Sequence, residues 1–324
     1  MKVGLILPQG YFNEYEGWDP VTAMQRTLAV ARLAERLGFE SVWTGEHVLP
    51  KWGGDAIVFD CVALAAALAA SVPRVGIGFI VINSTFRNPA LTAKTAATID
   101  VISGGRLTLG LGAGFKPTEA EAFGFDYPDT RERLAILAEH LEIVRAMVTA
   151  DAGPVTFAGR YARVTEVLNS PRGAQRPRIP ILMGGHGPNV TFRLAARFAD
   201  ELNIDLLPPD VPAALDVLRE RCVEAGRDPA TLRLSSGINP SIPYKGLRST
   251  GGQHMMRPDE MAFMDPDRVA AVGTRAEELA AWRELGFDRV MCGVPGLANT
   301  DETLYELVDD CRLAGLELGS PSAA

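Results

Sequence analysis

Cysteine is scarce in this chain, and so is histidine, with four of each in 324 residues. Cys61, Cys222, Cys292 and Cys311 stand far apart, with no Cys-x-x-Cys pair and no histidine-rich spacing beside them. That pattern excludes a disulfide framework and the common zinc motifs, and leaves reduced, mostly buried thiols and no bound metal as the expectation. A basic excess is also missing, because the formal net charge is -8 with acids and bases interspersed. Phosphodiester backbones and anionic membranes both demand a basic face, so neither is expected as a partner. Long apolar runs are absent too. The most apolar helical stretch, 56–71, is shorter than the ~20 residues that a bilayer core requires and contains Asp60. The opening stretch, Met1 to Pro8, is too short an apolar run for a signal peptide and has no small-residue cleavage site. It reads as a first strand, and a cytoplasmic location is expected.

What the chain does have is core-forming material: 47% of residues are hydrophobic and 22% charged, enough to bury a large interior. Short aliphatic or β-branched runs alternate with amphipathic segments. The runs are 2–7, 41–44, 75–82, 107–111, 179–183, 201–204, 233–238 and 289–294, which makes eight candidate strands. Asp19-Pro20 supplies an N-cap with proline at N1, and Thr274 with Glu277 forms a capping box. Gly38-Phe39 and Gly286-Phe287 place glycine just past a helix and an apolar residue at the next strand. Eight strand-helix units without a linker between halves predict an α/β fold, a single (β/α)8 TIM barrel over residues 1–324. Two stretches exceed ordinary loop length. Residues 152–178, after the fourth helix, contain a small hairpin and are expected to be a structural cover or subunit contact on the face away from the chemistry. Residues 239–265, after the seventh strand, are expected to help cover a substrate.

Active sites of such barrels lie at the carboxyl ends of the strands. The second strand ends in Trp43-Thr44-Gly45-Glu46-His47, a carboxylate beside an imidazole. Histidine titrates close to neutrality and suits proton transfer, and a neighbouring glutamate can orient its ring. His140, inside the helical run 131–149, is expected to be structural, and His254 lies in the long segment after the seventh strand. The third strand runs through Ile80 and Val81 to Asn83, whose amide can bond the polar edge of a heterocycle. The fourth ends Gly110-Leu111-Gly112-Ala113-Gly114-Phe115, where Phe115 breaks the G-x-G-x-x-G dinucleotide pattern; Gly112 would instead let the backbone approach a bound ring. The fifth ends Gly184-Gly185-His186-Gly187 just before a helical run, which turns backbone amides and a helix N-terminus toward a phosphate. Asn203 stands at the end of the sixth.

Taken together, these segments resemble the luciferase-like monooxygenase superfamily, and within it the coenzyme F420-dependent branch. The stretches that carry the likeness are Gly38 to Trp43 with Glu46-His47, Thr85 to Pro89, Asp100 to Gly112, and Gly184-Gly185 with the helix that follows. The resemblance implies a tricyclic ring at the carboxyl-end face, backed by a non-prolyl cis peptide that would fall at Ile80-Val81. It implies that His47 and Glu46 match the proton-handling histidine and its acidic neighbour. One departure stands out: the sugar-phosphate dehydrogenases of that branch carry a catalytic glutamate where this chain has Phe115. An apolar or aromatic substrate is therefore expected rather than a sugar phosphate. The leading expectation is hydride transfer between F420 and a small organic substrate, with His47 as acid or base and Glu46 orienting it. Ile80, Val81, Asn83, Gly112, Gly184 to Gly187 and Asn203 are the expected cofactor contacts. The alternatives are an FMN monooxygenase served by a separate flavin reductase, and a flavin-binding protein without catalysis. A homo-oligomer, a dimer, is expected.

Overall fold

The computed structural model describes residues 1–238 and 273–319. Eight parallel strands close on themselves: β1 (Lys2–Ile6), β2 (Ser41–Thr44), β3 (Gly76–Phe79), β5 (Leu107–Gly112), β8 (Ile181–Gly184), β9 (Glu201–Asn203), β10 (Arg233–Ile238) and β11 (Arg289–Cys292). Closure comes from β1, which pairs β2 on one side and β11 on the other, Leu5 facing both Val42 and Cys292. All eight expected strands are present within a few residues of their expected bounds. The third is broken after Phe79 and resumes as β4 (Ile82–Asn83), and the peptide between Ile80 and Val81 at the break is cis.

Helices wrap the outside, and their ends follow the sequence punctuation. Asp19 caps α1 (Pro20–Arg36) by accepting the Thr22 amide at 2.9 Å, and the Thr274/Glu277 capping box starts α8 (Arg275–Glu284). Gly38 and Gly286 both take positive φ, the conformation a helix-stopping glycine supplies without steric cost. Between α1 and the third strand lies α2 (Cys61–Ser71), followed by α3 (Pro89–Ser103) and, after β5, the short α4 (Pro117–Phe123) and the long α5 (Thr130–Val148). His140 is buried on α5, where desolvation pushes its imidazole down to about 4, as suits a structural residue kept neutral. No helix among the described residues is long and apolar enough to cross a membrane.

The segment 152–178 holds the expected hairpin, β6 (Val155–Ala158) against β7 (Arg163–Val167). Its second half is pinned to the amino-terminal side of the barrel. The Asp100 carboxylate accepts the amides of Ala174 and Gln175, and Gln175 donates to the Leu107 carbonyl at the start of β5. Residues 239–265, with His254, lie outside the described residues.

The barrel interior is a packed core. At its amino-terminal end Arg289 holds two carboxylates, Glu201 by a bidentate contact and Glu40 by two further bonds. Above it the fully buried Trp43 fills the lumen, its indole donating to Ser41 Oγ at 2.7 Å. The ring fits because two strands lack side chains where it lies. A Cβ at Gly78 would sit 2.2 Å from the ring carbons, and one at Gly4 2.5 Å from Nε1. Trp43 packs with Leu182 and Met291, and Ile6, Ile80 and Val81 close over this cluster. Gly78→Ala is expected to lower the melting temperature by several degrees, since overpacking a filled core costs about 1–3 kcal/mol. A thermal melt unchanged by the substitution would show that the ring does not rest on β3.

Candidate functional site

At the carboxyl-end face, the ends of β1, β2, β3, β10 and β11 surround a cavity of about 400 Å³. Ile6 and Ile80, the upper members of the lumen cluster, also line the cavity, and Ile238, Val294 and Phe115 add apolar surface. Glycines at 45, 237, 293 and 296 line it as well, and a Cβ at Gly237 would have no atom closer than 3.9 Å. A flat ring can therefore lie close to backbone there. The wall is tied together by Gln9, whose side chain donates to the Gly45 and Phe59 carbonyls at 2.8 Å and accepts the Gly45 amide at 3.0 Å.

His47 belongs to this wall. Its Nδ1 lies 3.2 Å from both oxygens of Glu119, and its Nε2 makes no hydrogen bond to a described residue. Tyr11 stacks on one face of the imidazole, with ring planes 11° apart, and Phe115 meets it edge-on at 5.7 Å between centroids. Glu119 sits in the first turn of α4 and also accepts the amides of Val48 and Leu49 at 3.1 and 3.3 Å. Burial pushes its carboxyl up, but the bond from His47 and the two amides outweigh that and hold it below the usual carboxylate range. An ionised Glu119 can only accept, so it favours the tautomer with the proton on Nδ1.

Glu46 is not the partner of His47, which corrects the expectation from sequence. Its carboxylate is bonded to Arg87 Nε and to the Asn83 amide, the latter at 2.7 Å, and Arg87 continues to Asp60 at 2.7 Å. Desolvation raises the Glu46 carboxyl, with Arg87 pulling against it. This is a buried clamp that joins the end of β2 to β4 and the N-cap of α2. Sequence reasoning missed Glu119 because a glutamate two residues after a helix-starting proline looks like ordinary dipole compensation. Its only signal was position, four residues beyond the Phe115 that ends the glycine run after β5.

The other expected contacts divide. Ile80 lines the cavity, but Val81, Asn83, Gly112, Gly184, Gly185, His186, Gly187 and Asn203 do not. Gly112 makes room for a neighbour, since a Cβ there would fall 2.5 Å from Val81 Cγ2. Gly184 flanks the same valine from the other side, at 3.3 Å. Asn83 uses Oδ1 to accept from the Thr85 amide and hydroxyl, which leaves only its Nδ2 for a ligand. Asn203 points into the barrel toward Ser235 and Met291. Gly185 has φ of 128° and donates to the Asn203 carbonyl, and His186 is exposed just before α6 (Thr191–Phe198). The glycine run therefore lies across Val81 from the cavity, at a helix N-terminus.

Comparison with known proteins places this architecture. A family model described as luciferase-like monooxygenase matches residues 1–243. An F420-dependent glucose-6-phosphate dehydrogenase of Amycolatopsis mediterranei (strain U-32) is 34% identical over 233 residues, 68% of this chain and 66% of that protein. A 4-hydroxyprotoasukamycin monooxygenase of Streptomyces nodosus subsp. asukaensis is 30% identical over 208 residues, 62% of this chain and 53% of that protein. The matched region thus spans no more than about two thirds of either relative. A solved monooxygenase from Streptomyces bottropensis superposes with a TM-score of 0.73 at 27% identity, covering 96% of this chain and 98% of its own. With the family model running through residues 1–243 and the barrel closing around that segment, the chain belongs to the luciferase-like monooxygenase family.

Proposed function

We propose that this chain is an F420-dependent oxidoreductase acting on a small apolar or aromatic substrate. The observation that carries the reading is the Glu119–His47 pair on the wall of an apolar cavity, with Nε2 unoccupied by any described residue. The relative from Amycolatopsis, F420-dependent by its name, supports the choice of cofactor. When bound, the deazaflavin supplies the hydride chemistry. Ile6 and Ile80 would support its ring from below, and Gly184 to Gly187 with the first amides of α6 would hold its phosphate.

The protein's own contribution is proton handling and exclusion of water. With Nδ1 tied to Glu119, His47 presents Nε2 as the atom that gives a proton to, or takes one from, an oxygen of the substrate. Tyr11 and Phe115 cover the imidazole on two sides and limit its contact with solvent. A substrate with a charged sugar-phosphate character would meet Phe115, which is 67% exposed at the place where the family's dehydrogenases carry a carboxylate.

Titration with F420 and, separately, FMN, followed by the fluorescence of each ring, tests the cofactor. Saturable binding of F420 with weaker or no binding of FMN is expected, and the reverse order would move the chain to the monooxygenase side of the family and call for a flavin reductase. His47→Ala should leave F420 affinity nearly unchanged while turnover falls roughly 100-fold or more, the usual contribution of a positioned acid or base. Two further variants separate the carboxylates. Glu119→Gln keeps an oxygen for the Val48 and Leu49 amides yet removes the charge facing His47, so turnover should fall about 10- to 100-fold with little change in melting temperature. Glu46→Gln should chiefly lower the melting temperature, because it leaves Arg87 without its buried partner. If Glu46→Gln abolished turnover and Glu119→Gln did nothing, the assignment of the orienting group would be wrong.

A further inference from the structure

The cavity wall carries a cation that the proton chemistry above does not use. Lys116 enters α4 at its N-cap position, yet its side chain makes no capping bond, and a positive charge is the wrong sign for a helix N-terminus. The helix gains nothing from it. The side chain is half-buried on the wall instead, where Nζ lies over the rings of both Tyr11 and Phe115, 5.8 Å from each centroid. These are the two rings that cover His47. Lys51 repeats the arrangement on the same strip of aromatic residues, its Nζ lying 5.1 Å from the Phe12 ring and 5.6 Å from that of Trp52, and Phe12 meets Tyr11 edge-on at 4.9 Å. Both lysines line the cavity. Ring faces hold an ammonium in place and strip part of its water, but they leave its N–H donors without an oxygen acceptor.

We propose that Lys116 is a specificity-determining residue of this cavity, its ammonium binding the carboxylate of a substrate whose body is apolar or aromatic. The inference rests on the proposed function only in placing the substrate in this cavity. No carboxylate among the described residues pairs with Lys116 Nζ. The acids around it are engaged or turned to solvent. Glu119 holds His47 and the Val48 and Leu49 amides, Glu14 accepts the Phe12 amide at 2.7 Å, and Asp205 stands exposed after β9. A partly desolvated ammonium gains more from an anion than from a neutral amide of the same shape, because a charge-assisted bond is about twice as strong as a neutral one. Ile6, Ile80 and Ile238 offer the apolar surface for the body of the guest. Cation and apolar wall together orient a molecule that carries its carboxylate at one end.

Calorimetric titration with para-acetylbenzoate and its neutral isostere para-acetylbenzamide, with and without saturating F420, tests this. The carboxylate is expected to bind roughly tenfold more tightly than the amide at low salt, the scale of one charge-assisted bond at a partly desolvated site. Lys116→Met, or Lys116→Gln should the first fail to fold, removes the charge and should bring the two affinities together. Lys116→Arg should keep the preference. Equal wild-type affinity for the two compounds, a preference that survives the loss of the charge, or binding of neither compound would overturn the proposal. A preference that depends on Lys116 in a protein that does not bind F420 would sink the cofactor reading and leave Lys116 standing. F420 binding and His47-dependent turnover without that preference would do the reverse.

Discussion

The lumen of this barrel is filled by one indole, and the rest of the molecule is arranged around that fact. Trp43 needs two neighbouring strands without side chains, and Gly4 and Gly78 supply them. A (β/α)8 lumen is normally filled by layers of branched residues. Here a single large ring does much of that work, stacked above the Arg289 guanidinium at 5.2 Å. The guanidinium is tolerable in the interior because Glu201 and Glu40 satisfy it with four bonds. With the lower lumen full, Ile6 and Ile80 are carried up to the level of the loops, where they line the cavity.

The break in the third strand connects this core to the site. At Ile80-Val81 the strand leaves the ladder, yet it stays stitched to β2, since Ile80 donates to the Thr44 carbonyl and Glu46 donates to the Val81 carbonyl. Glu46 then grips Arg87 and the Asn83 amide, which fixes where β4 resumes. Every side chain in that chain of contacts is structural, and its product is the placement of the next residue, His47. A clamp next to His47 in sequence is thus a support for it in space, although the two never touch through their side chains.

The strands were legible because each apolar run had to be buried on both faces and was bounded by clear helix punctuation. The break at residues 80–81 was not legible from composition; only likeness to a family pointed there. The pairing of Glu46 with His47 failed for a geometric reason. Both lie past the end of β2 in a tight turn, where the His47 amide donates to the Gly45 carbonyl and the Glu46 side chain is taken up by Arg87 and the Asn83 amide. The partner came instead from α4, 72 residues away, and long-range pairing of that kind leaves no local pattern. Gly112 and Gly184 make room for Val81, and no sequence feature distinguishes a glycine that admits a neighbour's methyl group from one that admits a ligand.

Glu119 rides on a helix only seven residues long, entered through Phe115 and Lys116 at the rim of the cavity. The same short segment thus forms part of the cavity lining and carries the carboxylate that holds the imidazole. The edge of the cavity and the orientation of the imidazole are consequently joined through one small lever, so that a bulkier side chain in place of Lys116 would shift His47 by way of Glu119.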